Sequence, residues 1–297
     1  MKQPIFTGSG VALVTPFSKD GTVNLKKMEE LIEFHIASHT DALIICGTTG
    51  EAATLSNEQH KLALQYAAQV TAKRIPVIAG TGSNDTEHAI WLSQYAQEIG
   101  ADALLLVTPY YNKTTQRGLI AHFSEIAKSV TLPIILYNVP SRTGIGIEPE
   151  TLNTLADIPN ITAMKEASGN LAIASKMMRL CGDRIDFYSG NDDIVIPMMS
   201  IGAKGVISVA ANIIPEQMHQ MCQLYADGKV TQAAQMQLNY LNLINALFCE
   251  VNPIPVKTAM NMLGYQVGNL KLPLCDMSEE HKELLGKALE EAKVYQK

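Results

Sequence analysis

The sequence predicts an α/β chain folded as a (β/α)8 barrel, the TIM-barrel architecture, with an appended C-terminal helical subdomain. Eight short apolar runs recur at intervals of roughly 20 to 34 residues, the repeat expected of a strand–helix unit. The segments between them have helical periodicity with recognisable starts and stops. No G-x-G-x-x-G or G-x-x-x-x-G-K-[ST] loop follows any run, which disfavours the alternative of a doubly wound nucleotide-binding sheet.

The runs are 11–15 (VALVT), 42–46 (ALIIC), 76–79 (PVIA), 102–107 (DALLLV), 133–137 (PIILY), 161–165 (ITAMK), 185–188 (IDFY) and 205–209 (GVISV). They are nearly continuous rather than alternating, as parallel strands covered on both faces must be. After the second run, Ser56-x-x-Gln59 reads as a capping box that opens a helix. Gly100 and Gly182 stand where helices should stop. The barrel is expected to occupy 1–228 and the helical subdomain 229–297. Within the latter, helices are expected over about 229–249, after Asn252-Pro253-Ile254-Pro255, and over about 278–294. The two prolines suit a helix start and exclude one unbroken helix.

Composition narrows the partners. The chain has 23 basic and 29 acidic residues, a net charge of -6, and no basic stripe for phosphates, so nucleic acid is not an expected partner. Five cysteines are dispersed without a C-x-x-C pair, which argues against a disulfide framework or zinc site and for a reducing compartment. Met1-Lys2-Gln3-Pro4 leads almost directly into a strand with no signal-peptide pattern, and no apolar run reaches the roughly 18 residues of a membrane helix. A soluble, cytoplasmic protein with no membrane association is expected.

Catalytic residues of such a barrel belong just after the strands, on one rim. That rim collects Gly47-Thr48-Thr49-Gly50-Glu51, Thr108-Pro109-Tyr110-Tyr111-Asn112, Tyr137 through Gly144, Lys165 through Gly169, and Ser189-Gly190-Asn191-Asp192. It contains hydroxyls, glycines, Arg142 and Lys165, and no histidine. A lysine at the barrel mouth has no obvious packing role, and desolvation there favours the neutral amine that attacks a carbonyl. The competing reading is a lysine paired to Glu166. Tyr137, ending the preceding strand, is placed to shuttle a proton to a carbonyl on Lys165, although a packed tyrosine would look the same. Thr48 and Thr49, flanked by glycines, fit either an anion-binding loop or an ordinary tight turn. Arg142 offers a fork for a carboxylate or a surface ion pair. His35 and His39 have metal-compatible spacing but read as a solvated helix end, Cys46 as a small core residue, and Asp192-Asp193 as a helix N-cap. Methionines 177, 178, 198 and 199 read as core filler.

The segments GTTGE (47–51), TPYYN (108–112), YNVPSRTG (137–144) and KEASGN (165–170), in register along essentially the whole chain, resemble the pyruvate-dependent class I aldolases. Among these, the resemblance is to the branch that condenses pyruvate with L-aspartate 4-semialdehyde early in lysine and diaminopimelate synthesis. It implies a Schiff base on Lys165 and a proton relay of Tyr137, Thr48 and Tyr111, with Tyr111 reaching a neighbouring subunit's site. It also implies that Thr49 holds the pyruvate carboxylate and Arg142 the semialdehyde's, with Gly190 and Ile207 lining the site. No organic or metal cofactor is implied, and the assembly is expected to be a homotetramer built from tight dimers. Sister enzymes that cleave N-acetylneuraminate or 2-keto-3-deoxy sugar acids share the lysine and tyrosine, and Arg142 favours the semialdehyde. A non-enzymatic ligand-sensing barrel is disfavoured by the intact Lys165–Tyr137–Thr48 set. In lysine-inhibited members, a glutamate on the third helix meets the inhibitor's amine in a cleft between subunits. Here His88 stands in its place and Asn57 replaces an imidazole or indole, while His60, Asn84 and Tyr110 match. The resemblance therefore implies weak or absent inhibition by L-lysine.

Overall fold

The structure is a computed structural model that describes residues 3–294. Met1, Lys2 and residues 295–297, the outer ends of the two expected spans, lie outside it. The strands are β1 (Gly8–Ala12), β2 (Ala42–Ile45), β3 (Val77–Gly80), β4 (Ala103–Val107), β5 (Ile134–Asn138), β6 (Ile161–Glu166), β7 (Asp186–Ser189) and β8 (Gly205–Ser208). They form a closed parallel barrel in sequence order. The helices on its outside are α1 (Leu25–Ala37), α2 (Asn57–Thr71), α3 (Thr86–Glu98), α4 (Gln116–Ser129), the short α5 (Pro140–Thr143), α6 (Pro149–Leu155), α7 (Leu171–Cys181), α8 (Val195–Ser200) and α9 (Pro215–Ala226). Four more follow: α10 (Val230–Asn239), α11 (Leu241–Ala246), α12 (Ile254–Met262) and α13 (Glu279–Glu291).

All eight expected strands are present, but β1 begins at Gly8 rather than Val11. The barrel closes where Gly8 pairs with Gly205, and a Cβ on Gly205 would lie 1.8 Å from the Gly8 carbonyl oxygen. Only glycine at 205 permits that approach, and β1 itself opens on Gly8, Ser9 and Gly10, residues without apolar character. Leu13 and Val14 stay buried beyond the ladder, with the Val14 N–H donating to Asn212 Oδ1 at 3.1 Å.

Two apolar layers result. Between strands and helices lies the larger core. Inside the barrel, Ile44, Ile78, Leu105, Ile135, Ala163 and Ile207 fill the interior. Phe6 stacks on Tyr188 with ring centroids 4.2 Å apart, and the Tyr188 hydroxyl donates to the Phe6 carbonyl at 2.7 Å, closing the N-terminal end. An interior so filled is a packed core, open to ligands only at its C-terminal rim.

The helix punctuation follows the chemistry. Ser56 and Gln59 form the reciprocal capping box of α2. Gly100 takes a φ of 81° just after α3, whereas Gly182 ends α7 in a right-handed conformation. The expected helix over 229–249 is instead two, broken at Tyr240, and α11 turns to pack on α13 and the turn at Asp192–Ile194. No glycine or proline lies between 230 and 249, so local sequence carries no mark of this break.

A buried ion pair fastens these helices to the rim. Lys257 Nζ lies 2.8 Å from Glu51 Oε1, both side chains being almost fully buried, and also donates to the Asn269 and Thr15 carbonyls. The other Glu51 oxygen accepts the Lys271 N–H at 2.8 Å. Burial pushes the Lys257 ammonium down, with Glu51 opposing. Removing one partner strands the other charge, so Lys257→Met is expected to lower stability by about 3–5 kcal/mol. Chemical denaturation measures it, and adding Glu51→Gln should recover part of the loss. Among the described residues no helix is long and apolar enough to cross a membrane.

Candidate active site

Lys165 is the fifth residue of β6, in register with Tyr137 of β5 and Tyr188 of β7. Residues i and i+2 of a strand share a face, so Lys165 points inward with Ala163, a member of the interior core. It is 5% exposed, and its Nζ sits 4.4 Å from the centroid of the Tyr137 ring. Gly190 makes room for it, since a Cβ there would lie 3.1 Å from Lys165 Cε and 2.5 Å from the Ala167 Cβ. Ile207 of β8 packs in the same interior cluster as Tyr137.

The competing partner of Lys165 is engaged elsewhere. Glu166, on the opposite face, accepts Asn138 Nδ2 and the Ser168 N–H, each at 2.7 Å. Asn138 Oδ1 in turn accepts the Ile147 N–H at 3.0 Å. This network ties together the ends of β5 and β6, which carry Tyr137 and Lys165.

Above the strands lies a cavity of about 450 Å³, lined by Thr48, Tyr137, Arg142 and Asn252 among others, a size that suits a small molecule. Thr48 is half-buried at its wall, and Thr49 is buried with its hydroxyl accepting Asn252 Nδ2 at 3.0 Å. Arg142 is exposed at the mouth and donates through Nη2 to the Asn252 carbonyl at 3.2 Å. Tyr111 is not brought to the site of its own chain. It is 93% exposed, in a left-handed conformation with φ 68°.

Some expectations need correction. His35 is buried rather than solvated, its Nδ1 3.0 Å from Thr40 Oγ1, and burial pushes it down to about 3. It is thus a neutral core imidazole, while His39 is exposed in a left-handed turn. Asp192 does not cap its own helix. Fully buried, it accepts the Val209 and Ala210 N–H groups at 3.0 and 2.9 Å, capping the turn after β8 from across the rim. Burial raises its carboxyl, opposed by hydrogen bonds and by the charge of Lys165. Cys46 is a small buried residue whose thiol is pushed up by burial. Methionines 177, 198 and 199 lie in the core, with Met178 packed at its edge. Asn252, Asp192 and the Glu51–Lys257 pair are structural parts of this rim through contacts that short-range sequence patterns did not mark. Their partners lie far away in the chain.

A profile of the Dihydrodipicolinate synthetase family matches residues 5–292. The chain is 57% identical over 286 residues to the 4-hydroxy-tetrahydrodipicolinate synthase of Clostridium novyi, covering 96% of each. It is 54% identical over 291 residues to the synthase of Acetivibrio thermocellus, covering 98% of this chain and 99% of that one. Among solved structures, the chloride-inhibited dihydrodipicolinate synthase from Acinetobacter baumannii complexed with pyruvate superposes with a TM-score of 0.95. That likeness has 45% identity and covers 97% of this chain and 99% of the other. With a family profile matching almost the whole chain, relatives similar over nearly their whole length and the same fold in the solved structures, the chain belongs to the dihydrodipicolinate synthetase family.

Proposed function

We propose that Lys165 forms a Schiff base with pyruvate and that the rim residues around it carry out the condensation with L-aspartate 4-semialdehyde. The activity is that of a 4-hydroxy-tetrahydrodipicolinate synthase, a lyase of lysine and diaminopimelate synthesis. The observation that carries the mechanism is the buried amine of Lys165 over the Tyr137 ring, with Glu166 engaged elsewhere. The neutral amine adds to the ketone of pyruvate, and loss of water leaves an imine. The protonated imine draws electrons from C3, which loses a proton to give an enamine. The enamine carbon attacks the aldehyde, and the semialdehyde's own amine then displaces the lysine by closing the ring. Because the lysine provides the electron sink, neither a metal nor an organic cofactor is required.

In this reading Tyr137, Thr48 and Tyr111 relay protons to and from the reacting carbonyl oxygens. Thr49 holds the carboxylate of pyruvate and Arg142 that of the semialdehyde, while Gly190 and Ile207 shape the space beside Lys165. The exposure of Tyr111 supports a role in a neighbouring subunit's site, within a homotetramer of tight dimers. The expected subdomain over 229–297 contributes Asn252 and Lys257, which complete the rim. The five cysteines, all unpaired, support a reducing cytoplasmic setting. A coupled assay with pyruvate and aspartate semialdehyde, run beside an N-acetylneuraminate cleavage assay, tests the reading. Turnover in the second alone would overturn it.

The same cavity is also lined by Asn57, His60, His88 and Tyr110. His60 Nε2 lies 2.9 Å from the Gly80 carbonyl, and burial pushes the imidazole down to about 4. The carboxylate that lines this cavity, Glu51, is held by Lys257. An incoming lysine ammonium therefore meets imidazoles and no free carboxylate. Losing such a charge pair costs more than about a hundredfold in affinity. Initial rates should be unaffected by L-lysine up to about 1 mM, and half-inhibition below that would show that the cleft binds lysine without a glutamate.

A further inference from the structure

Thr49, on the loop after β2, and Arg142, in the short α5 after β5, both contact one residue of the C-terminal segment. Asn252 lies between α11 and α12, 203 residues from Thr49 and 110 from Arg142 in sequence. Its side-chain amide donates to Thr49 Oγ1 at 3.0 Å, and its backbone carbonyl accepts from Arg142 Nη2 at 3.2 Å. Asn252 is 5% exposed and lines the cavity, and its Oδ1 is buried without a protein partner. The bond to Thr49 is thus the only hydrogen bond its side chain makes among the described residues.

That bond sets a direction. A hydroxyl has one hydrogen to donate and two lone pairs to accept with. With the Asn252 amide donating, the Thr49 oxygen is the acceptor, and its own hydrogen is left for another partner. A carboxylate can only accept, so it requires a hydroxyl presented in that sense. We propose that Asn252 is a positioning residue that fixes Thr49 as a donor to the pyruvate carboxylate, and this rests on the assignment of Thr49 above. Its backbone carbonyl meanwhile braces Arg142 in a way no side-chain substitution removes.

Two substitutions at this residue separate the effects. Asn252→Asp keeps the shape, turns the donor into an acceptor that captures the Thr49 hydrogen, and adds negative charge beside an anion site. Asn252→Ala simply removes the donor. The KM for pyruvate is expected to rise by about tenfold in Asn252→Ala and by about a hundredfold in Asn252→Asp. The KM for the semialdehyde and kcat should each change by less than about threefold. In a Thr49→Val background, adding Asn252→Ala should raise the pyruvate KM no further, since the hydroxyl it orients is gone. An unchanged pyruvate KM in Asn252→Asp, equal rises for both substrates, or full additivity with Thr49→Val would overturn the proposal. Failure of both variants to fold, read by thermal unfolding, would also overturn it by making Asn252 a structural residue. Borohydride trapping at saturating pyruvate should still label Lys165 in every variant. Loss of labelling in the wild type would instead sink the Schiff-base reading itself.

Discussion

Lys165→Arg is expected to abolish the adduct that borohydride traps from pyruvate on the wild-type protein, and to lower turnover by at least about 10³-fold. A guanidinium stays protonated at any pH the fold survives, so it offers no lone pair to a ketone. Arginine is the larger side chain in a buried position, so thermal unfolding accompanies the assay and should show the variant folded and the loss to be one of chemistry rather than packing. Mass spectrometry of proteolytic peptides should place the reduced pyruvyl group on the segment containing Lys165. The chain supplies an internal control in Lys257, a second buried amine near the same rim. Lys257 is held by Glu51 and two carbonyls and has no freedom to swing towards a ligand. An adduct on Lys257, or on any residue but Lys165, would contradict the mechanism.

Tyr137→Phe should lower kcat by about 10²-fold or more with the fold intact. Tyr137 is 7% exposed and its ring packs in the barrel interior, so phenylalanine retains the contacts with Lys165 and the interior core. Only the phenolic proton is lost, and with it the means to protonate the oxygen that leaves as water. The borohydride adduct should still form, more slowly, which distinguishes a relay defect from a misplaced lysine. Tyr111→Phe is expected to behave alike. If Tyr111 serves a neighbouring site, mixing Tyr111→Phe with Lys165→Arg subunits should restore part of the activity, because each mixed pair contains one complete site. Wild-type turnover in either tyrosine variant would remove that residue from the relay.

Much of the barrel and its rim could be read from sequence because a parallel barrel puts every strand's C-terminal end on one side. A residue's distance from the end of its apolar run is then nearly a coordinate. Lys165 and Tyr137 end adjacent runs and prove to be ladder partners. The Ser56–Gln59 box is equally local, and its three-residue spacing contains the whole interaction. What sequence did not show depends on closure. The start of β1 is hidden because the strand opens on Gly8, Ser9 and Gly10, and a Cβ on either glycine would crowd residues brought there by folding, Asp41 at Gly8 and Ile44 and Phe6 at Gly10. His35 looks like a helix-end residue until Thr40 folds back to meet it. Asp192 has the residue type of a cap, but the N–H groups it satisfies lie in another unit. Asn252 stands in a stretch legible only as a helix start, and its partners are fixed by tertiary contact alone.

The Glu51–Lys257 pair also bears on synthesis. The two residues are 206 positions apart, so the ribosome delivers the carboxylate long before its ammonium. An unpaired carboxylate stays hydrated, because removing it from water without a counter-charge costs several kcal/mol. The Thr48–Thr49 loop that leads into Glu51 is therefore expected to lack its anchor on a partly made chain, even after all eight strands have emerged. Until α12 docks, the rim at Thr48 and Thr49 lacks the buried counter-charge that fastens it in the finished barrel.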